Sequence, residues 1–322
     1  MLKYILKRIV LAIISIFIVM TILFVLLRLI PNPVELGLNN EGKALIEMRR
    51  AWGYYDPIPT QYAIFLKNLF TKFDWGFCTT VGTFLMPVTE YVASKFPFTI
   101  YINVFSALIS VPLGLLFGAI AAIYKNKWPD QVLNVFIMIF ISVPTFVYAF
   151  VMQYYIGFKW GLCPLVLENG TDFFSWHMFR SALMPIASIA FHSIAWYMRM
   201  VRAELTETLT TDYMLLARTK GLTRAQATFR HAFRNSLIPI FPVILSEIIA
   251  VLSGAIITET VFAVPGIGKT YLMALNLKDY SVFLCLSMFY VVIGFLGGIF
   301  FDMSYMLIDP RIRMGGGKTN EY

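Results

Sequence analysis

Residues 202–223 read RAELTETLTTDYMLLARTKGLT, and residues 224–239 continue RAQATFRHAFRNSLIP. This long polar stretch separates an apolar segment that ends near Arg199 from one that begins near Ser236. Its pattern predicts two short helices joined at a glycine, with basic residues between two membrane-crossing segments. Such a pair indicates a surface that binds a partner in the cytoplasm, whose nature these residues alone do not define. The alternative is a solvated loop that carries only the usual excess of positive charge on the inner side.

The first of the two helices is predicted from Asp212, which we expect to cap its N-terminus. Its apolar residues share one face at i, i+3 and i+4: Tyr213, Leu216 and Ala217. Lys220 followed by Gly221 predicts its end, because a cation favours the last turn and glycine accepts a positive φ.

The second helix is predicted to open with a capping box formed by Thr223 and Gln226. Helical spacing divides its residues between two sides. The apolar side is expected to carry Ala225, Phe229, Ala232 and Phe233, and the basic side Arg224, Arg230, His231 and Arg234.

The composition of the chain is that of a polytopic membrane protein. Of its 322 residues, 59% are hydrophobic and only 14% are charged, whereas soluble domains carry about 25% charged residues. The net charge of +8 is explained by orientation in a membrane, so no nucleic-acid partner is inferred. Cys78 and Cys163 both fall in predicted outer loops; a disulfide between them is one alternative and two free thiols the other.

Six apolar segments are long enough to cross a bilayer, which takes about 20 helical residues each. They are residues 9–30, 96–124, 131–158, 181–198, 236–262 and 281–308. The predicted fold is therefore all-α, with an N-terminal tail and first span (1–30), an extracytoplasmic loop subdomain (31–95), a five-helix core (96–308) that contains the polar loop 199–235, and a tail (309–322). Pro31–Pro33 are expected to end the first span.

Charge counting orients these spans. The four segments assigned to the inner side hold 15 basic and 6 acidic residues, and the three outer ones hold 10 and 9. The excess of Lys and Arg places both termini and the polar loop in the cytoplasm.

Catalytic chemistry finds no support in the sequence. Gly268-Lys269-Thr270 resembles the end of a phosphate-binding loop, but the glycine required five positions earlier is replaced by Ala263, and a membrane span precedes it where a strand is needed. The three histidines have no carboxylate or second histidine at helical spacing, so no metal site is predicted.

Ionisable residues within the spans are costly to bury and are candidates to line a solute pathway. The candidates are Glu247, Glu259, Asp302 and His192. The alternative for each is a hydrogen bond between helices or to a partner subunit.

Several blocks of the chain together resemble one family. They are Asp212-Tyr213, residues 217–222 (ARTKGL), residues 230–239, Glu259-Thr-Val-Phe262 with Pro265-Gly-Ile-Gly268, Asp302, and Asp309-Pro310-Arg311. They are similar to the membrane permease subunit of binding-protein-dependent ABC importers with the type I architecture, in the oligopeptide, dipeptide and nickel class. The family's Glu-Ala-Ala motif, which precedes the glycine, departs here: Leu215 and Leu216 occupy the glutamate and first alanine positions.

The resemblance implies a cell-membrane assembly that transports a peptide. It implies a second permease subunit, two ATP-binding subunits that hold ATP and magnesium, and an extracytoplasmic substrate-binding lipoprotein, so this chain would be no enzyme and hold no cofactor. The segment expected to contact an ATPase carries Asp212, Tyr213, Leu216, Ala217, Arg218, Lys220 and Gly221. Two alternatives stay open: nickel or another small solute as cargo, and a proton-coupled carrier without an ATPase.

Overall fold

The computed structural model describes residues 2–30, 40–168, 170 and 172–308. Regular structure in these ranges is helical, apart from an isolated bridge between Phe77 and Pro87. The all-α prediction is therefore confirmed. The expected stop at Pro31–Pro33 and the tail 309–322 lie outside the described residues.

Fifteen α-helices follow one another along the described chain. They are α1 (Leu2–Leu29), α2 (Asn40–Ala51), α3 (Ile58–Lys72), α4 (Val88–Ala93), α5 (Phe96–Ile123), α6 (Trp128–Ser142), α7 (Thr145–Met152), α8 (Trp176–Leu209), α9 (Asp212–Thr219), α10 (Arg224–Ala227), α11 (Arg234–Ser236), α12 (Phe241–Ala250), α13 (Ile256–Val261), α14 (Ile267–Asn276) and α15 (Tyr280–Ile308). Gln153–Lys159 and Thr228–Phe233 are π-helical, and Val251–Ser253 form a 3-10 turn.

Five stretches of helix within the described residues are long and apolar enough to cross a membrane, and a bent pair makes a sixth. The pair is Trp128–Ser142 with Thr145–Lys159, whose axes differ by 102°. The third span predicted over residues 131–158 is therefore made of two helices that meet at a sharp bend. Pro144 has no N–H to donate, and Val143 before it is extended (φ −83°, ψ 125°), so the helix ends there and a new one begins.

The fourth and fifth spans also differ from the prediction. Helix α8 continues to Leu209, so the polar loop predicted from residue 199 begins some ten residues later. Val201 and Leu205 are buried one turn apart, which keeps this polar sequence helical. The fifth span begins at Phe241 and is interrupted between α12 and α13, where Gly254 has φ +69°.

One of two structural units comprises residues 1–99 and 265–295. Its core packs aromatic side chains of α1 to α3 against α15, with Phe24, Trp52, Phe65 and Phe77 buried. The Asp279 carboxylate accepts hydrogen bonds from the backbone N–H groups of Thr79, Thr80 and Val81, at 2.7 to 3.1 Å, and so fixes the segment before α4.

Cys78 lies in that segment and is fully buried. Burial, and secondarily the Asp279 charge, raises the pKa of the Cys78 thiol to about 12. It therefore stays protonated and unreactive at neutral pH. Cys163 and Cys285 are free thiols as well.

The second unit comprises residues 100–264 and 296–322. Helices α5 and α8 lie unusually close in it, because glycines one turn apart on α5 face α8. A Cβ atom on Gly114 would stand 2.5 Å from Cβ of Tyr197, and one on Gly118 would stand 2.6 Å from Cβ of Val201 and 2.8 Å from the Met198 carbonyl oxygen. Small residues at such contacts let membrane helices pack backbone to backbone.

We expect Gly118→Ala to destabilise the protein by about 1–3 kcal/mol, since the added methyl group meets backbone and a β-branched side chain that cannot move aside. Thermal unfolding of the purified protein in detergent measures the effect. Gly298→Ala is the matched control, because nothing lies within 4 Å of a Cβ atom built there. A melting temperature for Gly118→Ala equal to that of the control would contradict the close packing of α5 and α8.

Candidate functional site

The polar segment that remains after α8 ends is shorter than predicted and runs over residues 210–235. It contains α9, α10 and the π-helical turn that follows. Helix α9 begins at Asp212, but its N-cap residue is Thr211, whose side chain caps no N–H and instead donates to the Thr208 carbonyl at 2.6 Å. The expected capping role of Asp212 is therefore wrong. Asp212 lies in the first turn, where its charge is favourable beside the helix N-terminus.

Helix α9 has one face buried within its own unit and one face exposed. Met214 and Ala217, three residues apart, belong to a core shared with Ala119, Ala122, Val201 and Leu205 of α5 and α8. The exposed face carries three apolar side chains: Tyr213 (38% exposed), Leu215 (60%) and Leu216 (56%). Ala217 is thus packed against its own chain, whereas Tyr213 and Leu216 face outward. Arg218 and Lys220 are exposed as well.

The end of α9 follows the predicted pattern in full. Gly221 has φ +91°, its N–H donates to the Arg218 carbonyl at 3.0 Å, and the N–H of Leu222 donates to the Ala217 carbonyl at 3.3 Å. These two bonds define a Schellman motif, which requires the left-handed region of backbone space at its glycine. The chain therefore turns sharply at Gly221 and returns toward the membrane spans.

The next helix opens with the predicted capping box. Thr223 N–H donates to Oε1 of Gln226 at 3.1 Å, and Gln226 N–H donates to Oγ1 of Thr223 at 3.3 Å. The expected apolar side is correct only for Ala232 and Phe233, which pack into the core, and wrong for Ala225 and Phe229. The backbone is π-helical from Thr228, so the two fully buried residues, Ala227 and Ala232, are five apart.

The residues of the expected apolar side therefore lie partly in the core and partly on the surface. Phe229 is 63% exposed and Ala225 is exposed too. Phe229 adds a large apolar side chain to the surface of the polar segment.

An ion pair joins α8 to the start of α6, just before the polar segment begins. Arg202 Nε lies 2.6 Å from Asp130 Oδ1, and Arg202 Nη2 lies 2.9 Å from Asp130 Oδ2. Asp130 is 2% exposed and also accepts from the Asn126 N–H and from Asn134 Nδ2, each at 2.8 Å. This paired geometry is the strongest that a carboxylate and a guanidinium form. It ties the extension of α8 to the turn before α6.

The four candidate pathway residues lie on four different helices, α8, α12, α13 and α15. His192 borders a cavity and its Nδ1 lies 3.1 Å from the Phe140 carbonyl oxygen. Glu259 is buried at the C-terminal half of α13, while Glu247 in α12 and Asp302 in α15 are half-buried. No group of three or more His, Cys, Asp or Glu side chains that could hold a metal ion occurs in the described part of the chain.

Sequence reasoning did not find three of these features. Met214 was not recognised as the main buried side chain of α9, nor Leu215 as an outward-facing one, since one helical turn allows several assignments of the buried face. Asp130 and Arg202 lie 72 positions apart, and a charged residue at a membrane border is usually read as a solvated charge.

Comparison with protein families gives one consistent result. A family model described as "Binding-protein-dependent transport system inner membrane component" matches residues 114–314, and the model of the corresponding N-terminal region matches residues 1–103. The dipeptide transport system permease protein DppB of Lactococcus lactis subsp. cremoris is 30% identical over 98% of this chain and 100% of its own length. The oligopeptide transport system permease protein OppB of Mycoplasma genitalium is 31% identical over 99% of this chain and 79% of its own.

A solved structure described as an amino acid ABC transporter with histidines has the same fold. It superimposes with a TM-score of 0.52, covering 68% of this chain and 94% of its own, at 17% sequence identity.

We expect the Asp130–Arg202 pair to couple energetically. Asp130→Asn and Arg202→Gln should each destabilise the protein by about 3–5 kcal/mol, because each leaves a partly or fully buried charge without its partner. The double variant should lose less than the sum of the two, by about 0.5–3 kcal/mol. Thermal unfolding of all four proteins in detergent measures the coupling.

Arg199→Gln is the control for this cycle. Arg199 lies on the same helix and is exposed, so its replacement should change stability little. Strictly additive effects of Asp130→Asn and Arg202→Gln would show that the pair contributes nothing.

Proposed function

The chain belongs to the family of binding-protein-dependent transport system inner membrane components, and we propose that it is the permease subunit of an ATP-driven ABC importer for peptides. The curated relatives named above are dipeptide and oligopeptide permeases and match nearly the whole of this chain. Because these relatives are named as peptide permeases, we favour a peptide over nickel as the transported solute.

The observation that carries the mechanism is the two-faced helix α9. Its inner face is packed into the core of α5 and α8, so the helix cannot move without moving those spans. Its outer face exposes Tyr213, Leu215 and Leu216, an apolar surface of the kind that marks a protein interface. We infer that an ATP-binding subunit contacts this face in the cytoplasm, with Arg218 and Lys220 at the polar rim.

This arrangement divides the work among subunits. ATP and magnesium belong to two partner ATPases, and this chain contributes no catalytic residue. A second permease subunit completes the pathway, and an extracytoplasmic binding protein delivers the peptide. Closure of the ATPases on ATP moves α9, and the move passes through Met214 and Ala217 to α5 and α8. Gly221 turns the chain sharply at the end of α9, so that the second helix of the polar segment packs beside the first.

A proton-coupled carrier is the competing function. Such a carrier needs carboxylates grouped within the spans to relay protons. Glu247, Glu259 and Asp302 lie on three different helices, α12, α13 and α15, and do not border the cavity beside His192. The exposed apolar face of α9 would also have no purpose in a carrier that acts alone.

We expect a cysteine at Leu216 to crosslink to an ATP-binding subunit in membranes that contain the whole transporter. Leu216 lies on the exposed face, so its thiol reaches a docked partner. Mass spectrometry of the crosslinked band identifies that partner. Ala217→Cys is the matched control, because the neighbouring position points into the core and should give no product.

The opposite pattern would remove the docking assignment. It would consist of equal crosslinking at positions 216 and 217, or of capture only of proteins from outside the cell.

A further inference from the structure

A cavity of 370 Å³ lies in the second unit at the point where two broken helices meet α8. Its walls come from the start of α7, from the middle of α8 and from the interruption between α12 and α13. The lining residues are Thr145, Ile189, His192, Ser193 and residues 254–258. Cavities of about 300–1,000 Å³ are typical of small-molecule sites.

The position of this cavity within the spans is central. His192 is the seventeenth of the 34 residues of α8. At the 102° bend between α6 and α7 and at the break at Gly254, spans of this unit lose regular helix. Interrupted helices near mid-membrane are where transporters expose polar groups to a solute, since irregular backbone at that depth is tolerated only beside protein or an aqueous cavity.

The chemistry of the lining is neutral. Hydroxyl groups are supplied by Thr145, Ser193 and Thr258, and the imidazole by His192. The remaining lining is aliphatic, and no carboxylate, ammonium or guanidinium group borders this cavity in the described part of the chain. Such a lining hydrogen-bonds an amide and holds neither a metal cation nor a fixed charge strongly.

The orientation of His192 is fixed by α6. Its Nδ1 lies 3.1 Å from the Phe140 carbonyl oxygen, which lies in the last turn of α6 and has lost its usual helical partner. A carbonyl oxygen only accepts, so Nδ1 carries a proton, and in that tautomer Nε2 is the acceptor of the ring. Within the described ranges, no hydrogen bond is made to Nε2.

We propose that this cavity is a transit site for the main chain of the passing peptide, in which His192 Nε2 accepts a hydrogen bond from a peptide N–H group. The inference rests on the proposed function and adds the part of the substrate that is recognised. A site that binds only the main chain does not select among side chains. A transporter of varied peptides requires this property. A single hydrogen bond also keeps the residence short, which onward movement needs.

The test uses the reconstituted transporter with its partner subunits and labelled trialanine as the probe. We expect His192→Leu to lower the maximal uptake rate by about three- to tenfold, as for the loss of one hydrogen bond. The half-saturating peptide concentration should not change, because the binding protein sets it. His192→Gln should recover most of the rate, since its amide retains a donor and an acceptor. His177→Leu should transport like wild type, because His177 is exposed on the same helix but does not border the cavity.

A second measurement reads occupancy directly. In a Cys163→Ser background, trialanine transport should slow the labelling of Ser193→Cys by a hydrophilic maleimide. It should leave the labelling of His177→Cys unchanged. Protection by Ni²⁺ in place of trialanine would overturn the peptide assignment.

Three further outcomes would contradict the transit site or the proposed function. An unchanged uptake rate in His192→Leu, or a rise in the half-saturating concentration alone, would overturn the transit site while leaving the proposed function standing. Equal loss of assembly and uptake in His192→Leu and His192→Gln would assign His192 a structural role only. Absence of ATP-dependent trialanine uptake by the wild-type assembly would overturn the proposed function, and the transit site with it.

Discussion

The packing of one short helix against two long ones is the constraint on which the proposed mechanism depends. Met214 and Ala217 of α9 lie in the same core as Val201 and Leu205 of α8 and the alanines of α5. Interiors are packed too densely to absorb a displacement locally. A force on the exposed side of α9 is therefore passed to the spans as movement of a rigid group. The buried pair of Arg202 with Asp130 extends that group to the beginning of α6.

A rigid group can move only if the spans bend elsewhere. Near the ends of interrupted helices, side-chain amides donate hydrogen bonds to backbone carbonyl oxygens. Asn103 Nδ2 donates to the Val251 carbonyl at 2.9 Å beside the break between α12 and α13, and Gln153 Nε2 donates to the carbonyls of Leu165 (2.8 Å) and of Val261 (3.1 Å) at the end of α13. Unpaired carbonyls within a bilayer are costly. These amides stabilise broken helices without restoring them, and the cavity beside His192 lies at the same breaks.

The sequence predicted features that depend on neighbouring residues in the chain. The capping box of Thr223 with Gln226 and the left-handed Gly221 after Lys220 were both correct, because each is determined within a few residues. The all-helical, six-span architecture was also correct, because apolar length alone decides it.

Features set by packing across the fold could not be read in this way. The π-helical register of Thr228–Phe233 changed which residues are buried. No local sequence pattern predicts a π-helix at this place. Pro144 lies within the predicted third span, but the sequence does not show that the helix bends by 102° there. The cytoplasmic orientation of the termini and the roles of Glu247, Glu259 and Asp302 stay predictions.

The central claim is that ATP-driven movement of a partner subunit is transmitted to this chain through its contact with α9. Its most direct test is peptide uptake into liposomes, comparing the purified chain alone with the same chain assembled with its second permease, two ATP-binding subunits and a binding protein. The account predicts uptake only in the full assembly and only while ATP is hydrolysed, with no response to a proton gradient. Accumulation of peptide by the chain alone, driven by a proton gradient, would contradict it.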